Sequence, residues 1–173
     1  MTKEYKKYTP EAVANNILWL AREEGKPVTP MQLIKLVYIC YGWVLALLHR
    51  KLFDAPIEAW QHGPVIPQIY GQFQRFGKTP IDTFASEAVM DNNGYIIDVR
   101  YPVVDPGDKE VHALISTVWN SYKDCDAWTL SDITHEDGGA WYNAKKKGLY
   151  TKLDDKDIVA RSLEGIKKKY GKK

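Results

Sequence analysis

The chain has 173 residues, a length that suits one domain, and its 45% hydrophobic content, with six Trp and eleven Tyr, is enough for a real core and excludes extended disorder. Net charge is +2 but uneven: Lys145 to Lys173 holds eleven Lys and Arg against four Asp and Glu, a balance of +7 that leaves the first 144 residues at −5. No window approaches the roughly 18 uncharged apolar residues of a membrane span, the nearest being Leu36 to Leu48, and no apolar run follows Lys3, Lys6 and Lys7, so a cytosolic chain without a signal peptide is expected.

In chain order, Thr9, Pro10 and Glu11 supply an N-cap, an N1 proline and an early acid. Val13, Ile17, Leu18 and Leu20 follow at helical spacing, which predicts a helix over Thr9 to Glu24 that Gly25 ends. Thr29 and Pro30 repeat the start signal. Leu33, Leu36, Val37, Cys40, Val44, Leu47 and Leu48 then make a stripe so broad that the helix at about 31–49 is expected to be the buried centre of the core. Gly42 inside it costs about 1 kcal/mol against Ala, and a close approach by another backbone would explain the choice.

The run from Ile57 to Pro67 reads as a corner between this helix and one over Pro67 to about Arg75, stopped by Gly77. Ile57 to Trp60 alternate as a short extended segment would. Gly63 supplies freedom at φ, Pro64 removes a donor, and Pro67 suits a first helical turn. Trp60 and His62 admit two readings. One is a rigid aromatic knuckle presented to a partner. The other, preferred because Trp is usually largely buried and a lone His has no ligand set, is a structural corner in which Trp60 plugs the core and His62 caps a carbonyl.

Between Lys78 and Gly107 the helical period fades among Pro80, Asn92, Asn93, Gly94, Pro102 and Pro106. A small strand or hairpin insertion is expected near 81–104, with Tyr95 to Val99 as one strand. Asp108 caps a helix striped by Val111, Leu114, Ile115, Val118, Trp119 and Tyr122. Thr129 is read as the cap of a short helix from Leu130 to His135, and Gly138 and Gly139 precede another at Ala140, Trp141 and Tyr142. Asp154 caps a last, Lys-rich helix at about 154–170, with Ile158, Leu163 and Ile166 facing inward. The fold class is therefore mainly α, a single globular helical domain over 1–173.

The search for chemistry returns little. His49, His62, His112 and His135 are scattered, with no HxxxH, HExxH or CxxC spacing, and Cys40 and Cys125 are isolated, so no metal or cofactor is expected. His135, Glu136 and Asp137 resemble a base with orienting acids, yet no nucleophile accompanies them, and a helix C-terminus is the plainer role for His135. No catalytic residues are assigned. The basic C-terminus fits a DNA-binding autoregulator, but only Tyr150 and Tyr170 interleave with it, so a solvated helix end is preferred and nucleic acid is not an expected partner.

Two separated stretches carry a resemblance. Leu33, Ile34, Lys35, Leu36, Val37, Tyr38, Gly42 and Trp43 form a K-L-x-Y-x-x-x-G-W helix. Leu52, Phe53, Ile57, Glu58, Ala59, Trp60, His62, Gly63, Pro64, Val65 and Pro67, with Tyr70 after, form an L-F-x-x-x-I-E-A-W-x-x-G-P-V-x-P segment. Far downstream, Trp128, Leu130, Ser131, Thr134, His135 and Trp141 give L-S-x-x-T-H and a following Trp, although Gly138, Gly139 and Ala140 stand where Ser or Ala and Pro are expected. The pattern resembles the Panacea (SocA-like, phage-associated) antitoxin domain over roughly Val13 to Ile166. The resemblance implies a mainly helical antitoxin of a two-gene module. Such an antitoxin binds a cognate protein toxin encoded nearby and masks its active surface; the toxins include small alarmone synthetase-like translation inhibitors. For the SocA branch it implies a proteolytic adaptor that delivers the toxin to a AAA+ protease. Trp60, His62, Gly63, Pro64, Pro67, Tyr70, Thr134, His135 and Trp141 are the candidate toxin-binding or family-motif residues. Motifs that recur whatever the toxin are better fold determinants, which shifts the expected contacts to Lys78 to Gly107 or the C-terminal helix.

Overall fold

Helix α2 (Pro30–Leu48) carries the broadest apolar stripe, and the rest of the chain is wrapped on it: 14 of its 19 residues are buried. A computed structural model describes residues 5–171. Helices α1 (Pro10–Glu23), α4 (Lys109–Tyr122), α5 (Ala127–Thr134) and α7 (Asp155–Tyr170) all pack against α2. By length and composition α2 could cross a bilayer, which corrects the expectation that no segment could. Its apolarity is accounted for by these four neighbours, which keep it from water from several sides.

Local signals set most helix starts. The Thr9 hydroxyl accepts from the Ala12 N–H at 3.2 Å, Gln32 Oε1 accepts from the Thr29 N–H at 2.9 Å, and Asp108 Oδ1 accepts from the Val111 N–H at 3.3 Å. Three expectations are corrected. α5 begins at Ala127, not Leu130, because Asp126 Oδ1 accepts from the Thr129 N–H at 2.7 Å and outcompetes Thr129 as the cap. Leu163 is exposed on α7: five residues from buried Ile158 it lies about 140° round the helix, while Ile166 stays against the core. The helix at Pro67 stops as α3 (Pro67–Phe73), with a 3₁₀ turn at Gln74–Phe76 before Gly77, whose φ is +58°.

Gly42 does mark a close approach, of α7 side chains and not of a backbone. A Cβ there would collide with Ser162 Oγ and stand 3.3 Å from Ile158 Cγ2. Two small hairpins complete the fold. In the first, β1 (Glu58–Trp60) pairs antiparallel with β2 (Gly63–Val65), leaving Gln61 and His62 as a two-residue turn. The other edge of β1 is covered, since Ala59 N–H donates to Thr151 O at 2.9 Å and Tyr150 N–H to Ala59 O at 2.8 Å. In the second, β3 (Glu87–Met90) pairs with β4 (Ile96–Arg100) across a bulge at Val89 and Met90, in a sheet of only two strands.

Candidate functional site

Motif residues from distant parts of the chain, Lys35, Ser131 and Trp141, meet at the β1–β2 corner, and they do so by hydrogen-bonding three alternate carbonyls of one strand–turn–strand segment. Trp141 Nε1–H donates to Trp60 O at 2.7 Å. Ser131 Oγ–H donates to His62 O at 2.8 Å. Lys35 Nζ donates to Pro64 O at 2.9 Å. The side chains that bind these carbonyls come from three different helices, α2, α5 and α6 (Ala140–Lys146), and so tie the hairpin to all three.

Lys35 is the centre of this arrangement. It is 1% exposed on the apolar core helix, and burial lowers its amine to about 7. Gly63 makes room for it. Its φ is +105°, and a Cβ at that position would sit 2.7 Å from Lys35 Nζ and 3.3 Å from Thr134 Oγ1. Thr134 is buried, and its hydroxyl donates back to Leu130 O at 2.9 Å and Ser131 O at 3.0 Å. His135 caps α5 at its C-terminus, with Nδ1 3.2 Å from Ser131 Oγ and its ring 4.9 Å from that of buried Trp141. Glu136 faces away toward Arg161 and Lys168, so the acid beside His135 is held by α7.

Trp60 is only half buried, against the expectation that it plugs the core. Its Nε1–H donates to Glu58 Oε2 at 2.8 Å, and its ring lies 4.9 Å from Tyr70 and 5.5 Å from Tyr150. The His62 ring is exposed and packs edge-on against Trp128 at 5.4 Å; it is the backbone carbonyl of His62, accepting, that is tied down. Pro67 opens α3, which places Tyr70 one turn on at the outer wall of a groove of about 500 Å³ that Lys35 and Trp60 also line. All nine candidate residues therefore share one corner. The sequence reading left Lys35 and Ser131 out of that set, although a lone lysine within an otherwise apolar helical stripe is the signal that marks Lys35.

The expected Ser or Ala and Pro before Trp141 are replaced for a reason visible in the backbone. Gly138 takes φ +78°, and a Cβ on Gly139, the N-cap of α6, would stand 3.2 Å from Glu136 O and 3.4 Å from Arg161 Cδ. The positive φ at Gly138 and the crowding at Gly139 favour glycine at both positions.

One further polar residue, in the interior of α1, organises the second hairpin, and the sequence reading missed it. Asn15 is buried and clamps both roots of the β3–β4 hairpin: its Nδ2 donates to Ala85 O and Pro102 O, each at 2.9 Å, and its Oδ1 accepts from the Ala85 N–H at 2.7 Å. An asparagine among apolar neighbours in a helix interior, where its propensity is poor, was the available signal.

The fold and the corner define a small, mainly helical protein whose signature residues bind one another's backbone. The family model for antitoxin SocA-like proteins, Panacea domain, matches residues 33–142, which includes α2 from Leu33 onward, both hairpins and α6 as far as Trp141 and Tyr142. The chain belongs to this SocA-like Panacea antitoxin family. It is similar to Antitoxin SocA of Caulobacter vibrioides (strain NA1000 / CB15N), with 30% identity over 141 residues that cover 82% of this chain and 72% of the relative. No solved structure matches it.

Proposed function

We propose that this protein is a cytoplasmic antitoxin that neutralises a cognate protein toxin, encoded by the adjacent gene, by binding it directly and covering its active surface. The observation that supports this most is that the family match, from Leu33 to Tyr142, takes in most of the central helix and both halves of the corner. In this reading the chain acts by binding, and a small alarmone synthetase-like translation inhibitor is the class of toxin the sequence resemblance favours. The corner residues Trp60, His62, Gly63, Pro64, Pro67, Tyr70, Thr134, His135 and Trp141 serve as fold determinants that hold the binding surface in place. Support for that role comes from three of the strand carbonyls being completed by motif side chains.

The basic C-terminus fits a solvated helix end better than a nucleic-acid groove. Of the two aromatics that interleave with it, Tyr150 packs edge-on against Trp60 at 5.5 Å and Tyr170 edge-on against Trp43 at 6.0 Å, so both rings are engaged by the protein itself. The second reading, which the sequence resemblance to the SocA branch implies, is proteolytic delivery to a AAA+ protease. The deciding experiment is inducible expression of the neighbouring gene with and without this protein, scoring growth and co-elution. Rescue with a stable complex is the expected result. Rescue that disappears when the protease is deleted would favour delivery, and a harmless neighbouring gene product would remove the antitoxin reading.

A further inference from the structure

The β3–β4 hairpin stands apart from the core and keeps an apolar surface in water. Met90, Tyr95, Ile96, Ile97 and Val99 are all exposed, Tyr95 at 71% and Ile97 at 64%. With only two strands, each strand retains one edge whose backbone groups lie outside the ladder, whereas the second edge of β1 is covered by residues 150–153. At the root of the hairpin the apolar surface continues into a groove of about 790 Å³ walled by Trp19, Phe84, Tyr101 and Val103; Trp19 is 55% and Val103 67% exposed. A contiguous apolar surface of this kind on a free hairpin marks an interaction site, and the Asn15 clamp presents it in a fixed direction.

Charge identifies the partner. Residues 79–108 contain Asp82, Glu87, Asp91, Asp98, Asp105 and Asp108 against Arg100 as the one base. Asp105 and Asp108 are neutralised internally by Lys6 and Arg50, and Arg100 stands directly opposite Glu87 in the ladder, so Asp82, Asp91 and Asp98 are left to frame the apolar strip with negative charge. A symmetric contact with a second copy would set these acids against themselves, and nucleic acid or an anionic bilayer would be repelled. What complements the surface is a protein with an extended apolar segment framed by Lys and Arg, the surface expected around a site that handles phosphorylated substrates.

Resting on the antitoxin reading, we propose that the β3–β4 hairpin and the groove at its root are the toxin-binding surface, and that the toxin contributes a basic-framed apolar segment laid along the hairpin edge. The test is co-elution and titration of the neighbouring gene's product with the full chain, run on variants in parallel. Ile97→Lys with Val99→Lys should weaken binding at least a hundredfold and abolish growth rescue. Asp82→Lys with Asp98→Lys should weaken it about tenfold and flatten its salt dependence. All four positions are exposed or at the hairpin, so thermal melting followed by helical circular dichroism should stay within a few degrees of the parent. Trp128→Ala at the corner, and Lys168→Glu with Lys169→Glu on α7, should bind as the parent does. Hairpin variants that bind normally, or loss confined to the Trp128 or α7 variants, would overturn the proposal while leaving the antitoxin reading intact. Dimers of the parent alone that the Ile97→Lys variant dissociates would overturn it in favour of self-association. If the parent itself neither binds nor rescues, the antitoxin reading fails and this surface assignment with it.

Discussion

Gly63 shows how a single absent side chain holds the corner together. Its positive φ brings the chain out of the turn into β2, and the space a Cβ would fill is crowded by the amine of Lys35. Gly63→Ala therefore meets both a strained backbone and the buried amine, and should lower stability by about 1–3 kcal/mol in urea denaturation. Asn15 plays the corresponding part for the other hairpin. Asn15→Ala removes three hydrogen bonds and leaves buried backbone groups at Ala85 unpaired, a loss of about 2–3 kcal/mol. Its particular signature should be faster amide exchange across residues 86–101 with the helical core still protected, since the clamp acts on the hairpin roots and not on α1 packing.

At the scale of elements, α7 depends on the small residue it crosses. Its mean polarity leaves Ile158 as its one fully buried side chain, so docking against α2 relies on close approach at Gly42 more than on apolar area. Gly42→Val should overpack this contact and cost about 1–3 kcal/mol. Adding Ser162→Ala should recover part of the loss, because the hydroxyl that the new side chain meets is then gone; equilibrium unfolding of the single and double variants measures that coupling. The two β-hairpins illustrate the reverse situation. β1–β2 is stabilised from outside itself, by α2, α5, α6 and residues 150–153, while β3–β4 is held at its roots and left with exposed strands.

For the whole molecule, burial of ionisable groups sets the pH dependence of stability. Lys35 is lowered to about 7 by burial, so between that value and the ordinary 10.5 the unfolded chain binds more protons than the folded one, and stability rises with pH. Cys40, Tyr38 and Tyr41 are raised by burial, so above about pH 9 the folded chain holds protons that the unfolded one has released, and stability falls. Denaturant unfolding should thus show greatest stability near pH 9, with about 2–3 kcal/mol gained between pH 6 and pH 9. Lys35→Met should remove that rise and leave the alkaline decline in place.

Helix α2 was legible from its unbroken apolar stripe, and α1, α4 and α7 from caps and period, because hydrophobic spacing and N-cap chemistry act within a few residues. The corner was legible as a corner, since Gly63, Pro64 and Pro67 restrict their own backbone. What the chain could not disclose locally is who satisfies it: that Trp141, Ser131 and Lys35 each donate to a carbonyl of the same short segment, that Asn15 grips Ala85 and Pro102, or that Leu163 faces water. Those outcomes depend on long-range hydrogen bonds and on which stripe of a helix meets its neighbour, and only the packing of α5 and α7 on α2, of α6 on β1, and of α1 at the β3–β4 roots decides them.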